Sequence, residues 1–170
     1  MNDEGKAFFN HLSDGINDKE NNTETEVVFG KSEVIVGNFV TSQIDIADID
    51  QFNEGGSDID YSKPTGATKQ GKLIHELVEQ HQKAKGRDLD SAHKPASEAE
   101  GAVNGNKRLG KKWADGSWQD TFTSKKHGPG HARQVFREKD GTTTTVIYKY
   151  TSGVISVVGQ RRPTGKSKDK

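Results

Sequence analysis

Leu73-Ile74-His75-Glu76-Leu77-Val78-Glu79-Gln80-His81, inside the longer run from Thr68 to Lys85, decides how this chain is read. Leu73, Ile74, Leu77, Val78, His81 and Ala84 recur at i, i+1, i+4, i+5, i+8 and i+11, which is one stripe of an α-helix. Gly86 closes that helix as a C-cap. His75 and Glu79 are four residues apart on the far side of the helix, where both can reach one metal ion. Glu76 follows the first candidate ligand, the place of the general base in His-Glu-x-x-His helices. There it would accept a proton from water that the metal polarises. A carboxylate, Glu79, stands where that pattern has its second histidine. His81 sits in the apolar stripe and reads as a core histidine with a partner.

Moving outward, a second, Ala-rich helix is expected from Ser91 or His93 to Asn104, followed by Gly105. Ala92, Ala96, Ala99 and Val103 share a face, and small residues there let the helix approach its neighbour closely. Pro95 is expected in or near the first turn, where its ring is tolerated best. His93 and Glu100 flank the Ala stripe and point toward the first helix, so either can supply a third ligand or a partner for His75. Glu98 points away.

Strand signals lie on both sides of the helices. Val27-Val28-Phe29 and Val34-Ile35-Val36 flank Gly30-Lys31-Ser32, the pattern of a hairpin. Ile44-Asp45-Ile46 alternates apolar and acidic residues, and a polar loop from Asn53 to Thr68 precedes the first helix. After the helices, residues 132–137, 142–150 and 154–160 are β-rich, separated by Asp140-Gly141 and Ser152-Gly153 turns. The fold class is therefore α+β: N-terminal strands, two central helices and a C-terminal antiparallel meander. Residues 1–25 read as a flexible leader or a short docking helix around Ala7-Phe8-Phe9, residues 26–160 as the folded domain, and 161–170 as a disordered basic tail.

Composition narrows the chemistry. Of 170 residues only 29% are apolar and none is cysteine, which excludes disulfides, thiol catalysis and iron–sulfur clusters. Any metal must be held by His, Asp or Glu. No run approaches the roughly 18 apolar residues of a membrane helix. The start, Met-Asn-Asp-Glu-Gly-Lys, lacks a secretory signal, so the chain is expected to stay inside or to be exported without a cleaved signal. Net charge is zero, yet Lys and Arg number 10 against 20 Asp and Glu up to Gly105, and 15 against 5 beyond it. Mutual attraction of the two halves, or a solvated basic face, is the expected reading, with an anionic partner the alternative.

Other residues compete less well. His127-Gly128-Pro129-Gly130-His131, near Lys125, Lys126 and Arg133, reads as a turn with exposed histidines; the sharper alternative is a nuclease loop. Trp113 and Trp118 are expected to cover the edge of a thin core. His11, in the polar leader, carries no signal.

One resemblance joins these features. Val36-Gly37-Asn38-Phe39, Ile44-Asp45-Ile46-Ala47-Asp48-Ile49, Ile74-His75-Glu76-Leu77-Val78-Glu79-Gln80, Ala92-His93, Ala96, Ala99-Glu100, Asn104-Gly105 and Gly153-Val154-Ile155 occur in that order. This resembles the zincin-like metallopeptidase domains at the C-termini of rearrangement-hotspot and other polymorphic bacterial toxins, over about residues 26–160. The resemblance implies a zincin-like active helix with His75 in the ligand and Glu76 in the base position; together with the helix spacings, Zn2+ is expected on His75, Glu79 and one of His93 or Glu100. It further implies a protein substrate, a cognate immunity protein or delivery component as partner, and a bacterial effector made in the cytoplasm and then delivered. Nucleic acid is not the expected partner. Glu79 departs from the active peptidase pattern, and a non-catalytic module of the same fold is the alternative.

Overall fold

The Asn2 side chain accepts a 2.9 Å hydrogen bond from the Gly5 amide and caps helix α1 (Asp3–Asn17). Ala7, Phe8 and Leu12 of this helix pack on Ile74, Ala99 and Val103, so the stretch is a docked helix. The computed structural model describes residues 2–53, 65–151 and 153–161. Most of the polar loop expected between Asn53 and Thr68, Ser152 of the last turn, and the basic tail after Arg161 lie outside the described residues.

Strands β1 (Glu26–Val28), β2 (Gly37–Asn38) and β3 (Gln43–Asp45) form a sheet in the order β1-β3-β2. The hairpin expected between Val27–Phe29 and Val34–Val36 does not form: β1 instead runs parallel to β3, and β2 antiparallel to it. The cause lies in the acidic residues of the alternating stretch. The buried Asp45 carboxylate accepts the amides of Gly30 (2.9 Å) and Lys31 (2.6 Å), pulling that turn onto β3. Val36, at φ 64°, is a β-branched residue in the left-handed region and ends the extended run. Asp45 also caps the short helix α2 (Ile46–Ile49). Asp48 accepts the amides of Val36 and Ile155, each at 2.8 Å, and so ties the N-terminal strands to the C-terminal ones.

Helix α3 (Lys69–Ala84) begins at the N-cap Thr68, whose hydroxyl accepts the Gly71 amide at 3.0 Å. Helix α4 (Leu89–Asn104) begins at the N-cap Asp88 and ends at Gly105, which takes the left-handed conformation at φ 68°. Because α4 starts at Leu89, Pro95 falls in its second turn rather than its first. The proline nitrogen has no hydrogen, so one helical bond is missing there.

Seven further strands follow among the described residues: β4 (Lys107–Leu109), β5 (Lys111–Lys112), β6 (Trp118–Gln119), β7 (Thr121–Thr123), β8 (His131–Arg137), β9 (Thr143–Lys149) and β10 (Ser156–Arg161). The expected meander is present as β8-β9-β10, with β4 and β7 both pairing with β8 and β5 pairing with β6. The architecture is α+β. Its main core gathers Ile44, Phe52, Phe136, Val146, Tyr148 and Ile155, with Leu73 and Leu77 of α3 packed against them. No helix among the described residues is long and apolar enough to cross a membrane.

Candidate metal centre

Helices α3 and α4 pack antiparallel, and small residues set their closeness. Thr68 donates a 2.6 Å hydrogen bond to Asn104 Oδ1. A Cβ on Gly71 would stand 2.1 Å from that same oxygen, so only glycine fits at this crossing. The polar side of α3 is buried. His75, Glu76 and Glu79 are between 4% and 8% exposed.

His75, Glu79 and His93 converge, each offering a ligand atom, with all three atoms within 4.8 Å of one another. This buried group can hold a metal ion. His75 Nε2 lies 3.2 Å from Glu79 Oε1, and His93 Nδ1 lies 2.5 Å from the same oxygen. The two imidazoles meet edge to face at 4.9 Å between centroids. Each has a buried carboxylate on its other nitrogen: Glu100 Oε2 is 3.2 Å from His75 Nδ1, and Asp120 Oδ1 is 2.9 Å from His93 Nε2. Such carboxylates select the tautomer that leaves the inner nitrogen free, as behind metal-bound histidines. Of the two candidates for third ligand, His93 therefore faces the point where His75 and Glu79 meet. Glu100 lies behind His75.

Arg108 of β4 joins the two outer carboxylates. Its Nη1 pairs with Glu100 Oε2, and its Nη2 lies 2.7 Å from Asp120 Oδ1 and donates to Thr121 Oγ1, also at 2.7 Å. The Ser97 hydroxyl donates to the second Asp120 oxygen. Lys72, one turn before His75, forms a 2.7 Å ion pair with Glu100 Oε1 and donates to Gln134 Oε1 at 2.6 Å. The ammonium also sits 5.2 Å from the Phe52 ring centroid.

Protonation follows from this packing. Burial and the Arg108 charge oppose a proton on His75, but its bonds to Glu100 and Glu79 outweigh them and raise it to about 9. His93 is likewise raised, against burial, by Asp120 and Glu79. Burial works against the Glu79 anion, yet the two histidines hold its carboxyl down to about 2. Glu76 goes the other way: burial first, then the Glu79 charge, push it up to about 7. Its carboxyl packs against Gly37 of β2, where a Cβ would stand 1.9 Å from Oε2. No hydrogen bond reaches the Glu76 carboxyl among the described residues.

Among the described residues Glu76, Glu79, Glu100 and Asp120, when ionised, are set against the Lys72 and Arg108 cations, and burial lowers the Lys72 ammonium from its ordinary value. Two negative charges remain, and either two imidazolium protons or one divalent cation neutralises them.

The other sequence candidates fall elsewhere. His81 is satisfied by Asp18, at 2.7 Å. Glu98 is exposed and pairs with Lys94 on its own helix. His127 and His131 form a tilted pair on the far side of β8, with His127 Nδ1 3.0 Å from Ser124 Oγ. Trp113 is 43% exposed, while Trp118 covers Gly110 and points its indole nitrogen toward Asp120 at 3.4 Å. A cavity of about 250 Å3 is lined by Ile35, Thr121, Phe122, Ala132, Tyr148 and Tyr150, and Thr121 also accepts the Arg108 hydrogen bond. Sequence reasoning missed Lys72, Ser97, Arg108 and Asp120, which reach the group through tertiary packing and carry no motif. A scan against protein-family models and searches of curated proteins and of solved structures find no match to this chain.

Proposed function

We propose that this chain is a zinc-dependent peptidase domain of toxin or effector type, with α3 as its active helix. His75, Glu79 and His93 hold the metal, and Glu76 takes the proton from the attacking water. The observation that carries this reading is the convergence of three ligand atoms with a buried carboxylate behind each histidine. That arrangement supplies both the ligands and the groups that orient them. Bound zinc would polarise the scissile carbonyl and lower the pKa of water. Glu76 directly follows the ligand His75, the place from which a carboxylate accepts a proton from metal-polarised water. The cavity beyond Thr121 offers space for a substrate side chain.

The effector role and a cognate immunity protein follow from the resemblance alone. Growth of sensitive cells expressing the wild type or Glu76→Gln tests the effector role. Arrest by the wild type and growth with the variant supports a catalytic toxin; growth with both removes the toxin reading.

A second reading, a metal-holding module without catalysis, is favoured by one observation. His75 and Glu79 are nearly inaccessible, and even the His93 side chain is only 22% exposed. Zinc-loaded protein incubated with unfolded casein separates the two, because only the first reading predicts cleavage that a chelator stops.

A further inference from the structure

Strand β8 shows two unlike faces. Ala132, Gln134 and Phe136 are buried toward the helices, while His131, Arg133, Val135 and Arg137 alternate with them and point the other way. Pairing places Arg137 beside Lys107 of β4, His131 beside Lys149 of β9, and Arg133 beside Phe122 of β7. Lys107, Arg133, Arg137 and Lys149 thus share one face, on which Lys107, Arg137 and Lys149 are exposed and Arg133 is partly exposed beside the buried Ile147. No carboxylate stands on that face of β4, β7, β8 or β9, and among the described residues none of the four cations has an ion-pair partner. Lys125, Lys126 and His127, all exposed in the turn before β8, extend the same positive surface. The chain as a whole is neutral, so this charge is segregated rather than general.

We propose that this face of the C-terminal sheet binds single-stranded nucleic acid. Two observations beyond charge select that ligand. The Arg133 guanidinium lies 5.6 Å from the Phe122 ring centroid, and the His127 and His131 rings lie 5.6 Å apart, tilted by 36°. Planar groups set among cations stack unpaired bases while the cations follow the phosphates. An acidic peptide would use the charge but has no planar groups to stack. A duplex would keep its bases covered. The surface lies apart from the metal centre, and the proposal runs against the expectation that nucleic acid is not a partner.

Fluorescence anisotropy of the full chain with labelled oligo-dT and oligo-U of about 20 nucleotides tests the proposal. Neutralising four phosphates predicts a slope of about −3 in log affinity against log salt, at about 0.7 per phosphate for single strands. Arg133→Glu with Arg137→Glu should weaken binding at least about tenfold. Phe122→Ala should weaken it while leaving the salt slope unchanged, since stacking carries no counterion term. Lys19→Glu, an exposed lysine in the acidic half, should change nothing. Melting temperature checks that each variant is folded, and His131→Ala supplies a milder probe if the double variant is not. Wild type that fails to bind at about 100 μM at low salt overturns the proposal, as does undiminished binding by the folded charge-reversal variant. Polyglutamate competing as well as the oligonucleotide at equal charge would reassign the face to an acidic protein. A duplex bound as tightly as a single strand would overturn the single-strand assignment.

Discussion

Replacing Arg108 with methionine keeps the length of the side chain and removes the one guanidinium that touches both outer carboxylates. Glu100 and Asp120 are each 0% exposed, so neither can turn to water for compensation. Glu100 would keep Lys72 at 2.7 Å, and Asp120 would keep His93 at 2.9 Å and Ser97. Breaking a buried ion pair from one side typically costs about 3–5 kcal/mol, because the remaining charge stays desolvated. For a domain of this length each kcal/mol moves the melting temperature by about 2–4 °C, so a fall of about 6–20 °C is expected. Urea and thermal denaturation of chelator-treated protein measure it directly. Glu100→Gln in the Arg108→Met background should recover part of the loss, giving a coupling energy of more than about 1 kcal/mol in a double-mutant cycle. Zinc affinity should fall about 10–100-fold, as expected when the groups that orient metal ligands are disturbed. A melting temperature within about 2 °C of wild type, with an additive cycle, would refute the view that Arg108 neutralises this network.

Three further outcomes are expected. Glu76→Gln should leave zinc content and melting temperature unchanged while peptide hydrolysis falls by about 10²–10⁴; a variant that cleaves at the wild-type rate removes Glu76 as the base. In metal-free protein, His75 is raised from its ordinary 6.5 to about 9, so its stabilisation is complete below about pH 6.5 and disappears as pH rises through about 9. Urea midpoints across that range should fall with pH, and a flat profile contradicts the protonated clamp on Glu79. Gly71→Ala would place a methyl group 2.1 Å from Asn104 Oδ1 and should destabilise by about 1–3 kcal/mol, whereas Gly15→Ala, with nothing within 4 Å, should be neutral or stabilising by up to about 1 kcal/mol. Equal effects at the two glycines would argue against the α3–α4 crossing.

What the sequence made legible follows its periodicities. α3 and α4 came from a 3.6-residue stripe and a recognisable cap, and β8 to β10 from β-rich runs cut by glycine turns. Periodicity also places His75 and Glu79 on one face and turns His93 toward them. The N-terminal pairing was illegible because the side chains of Asp45 and Asp48 decide it. As acids in an alternating stretch they suggest the wet face of a strand, yet here they accept buried amides. Likewise, the polar His75, Glu76 and Glu79 give no sign in the sequence of how deeply that side of α3 is buried. Their burial depends on Arg108 and Lys72, whose roles are set by cross-strand and cross-helix contacts that no local pattern encodes. The β4–β7 strands are two or three residues long, too short for alternation to rise above composition.

The central claim is that His75, Glu79 and His93 are metal ligands. Anomalous diffraction at the zinc edge, on crystals of protein purified with zinc and washed free of excess, tests it most directly. The account predicts one peak per chain, within about 2.0–2.2 Å of His75 Nε2, a Glu79 oxygen and His93 Nδ1, with Glu100 and Asp120 still on the outer nitrogens. Crystals with no peak at that point, in which Glu79 keeps its hydrogen bonds to both histidines, would contradict it.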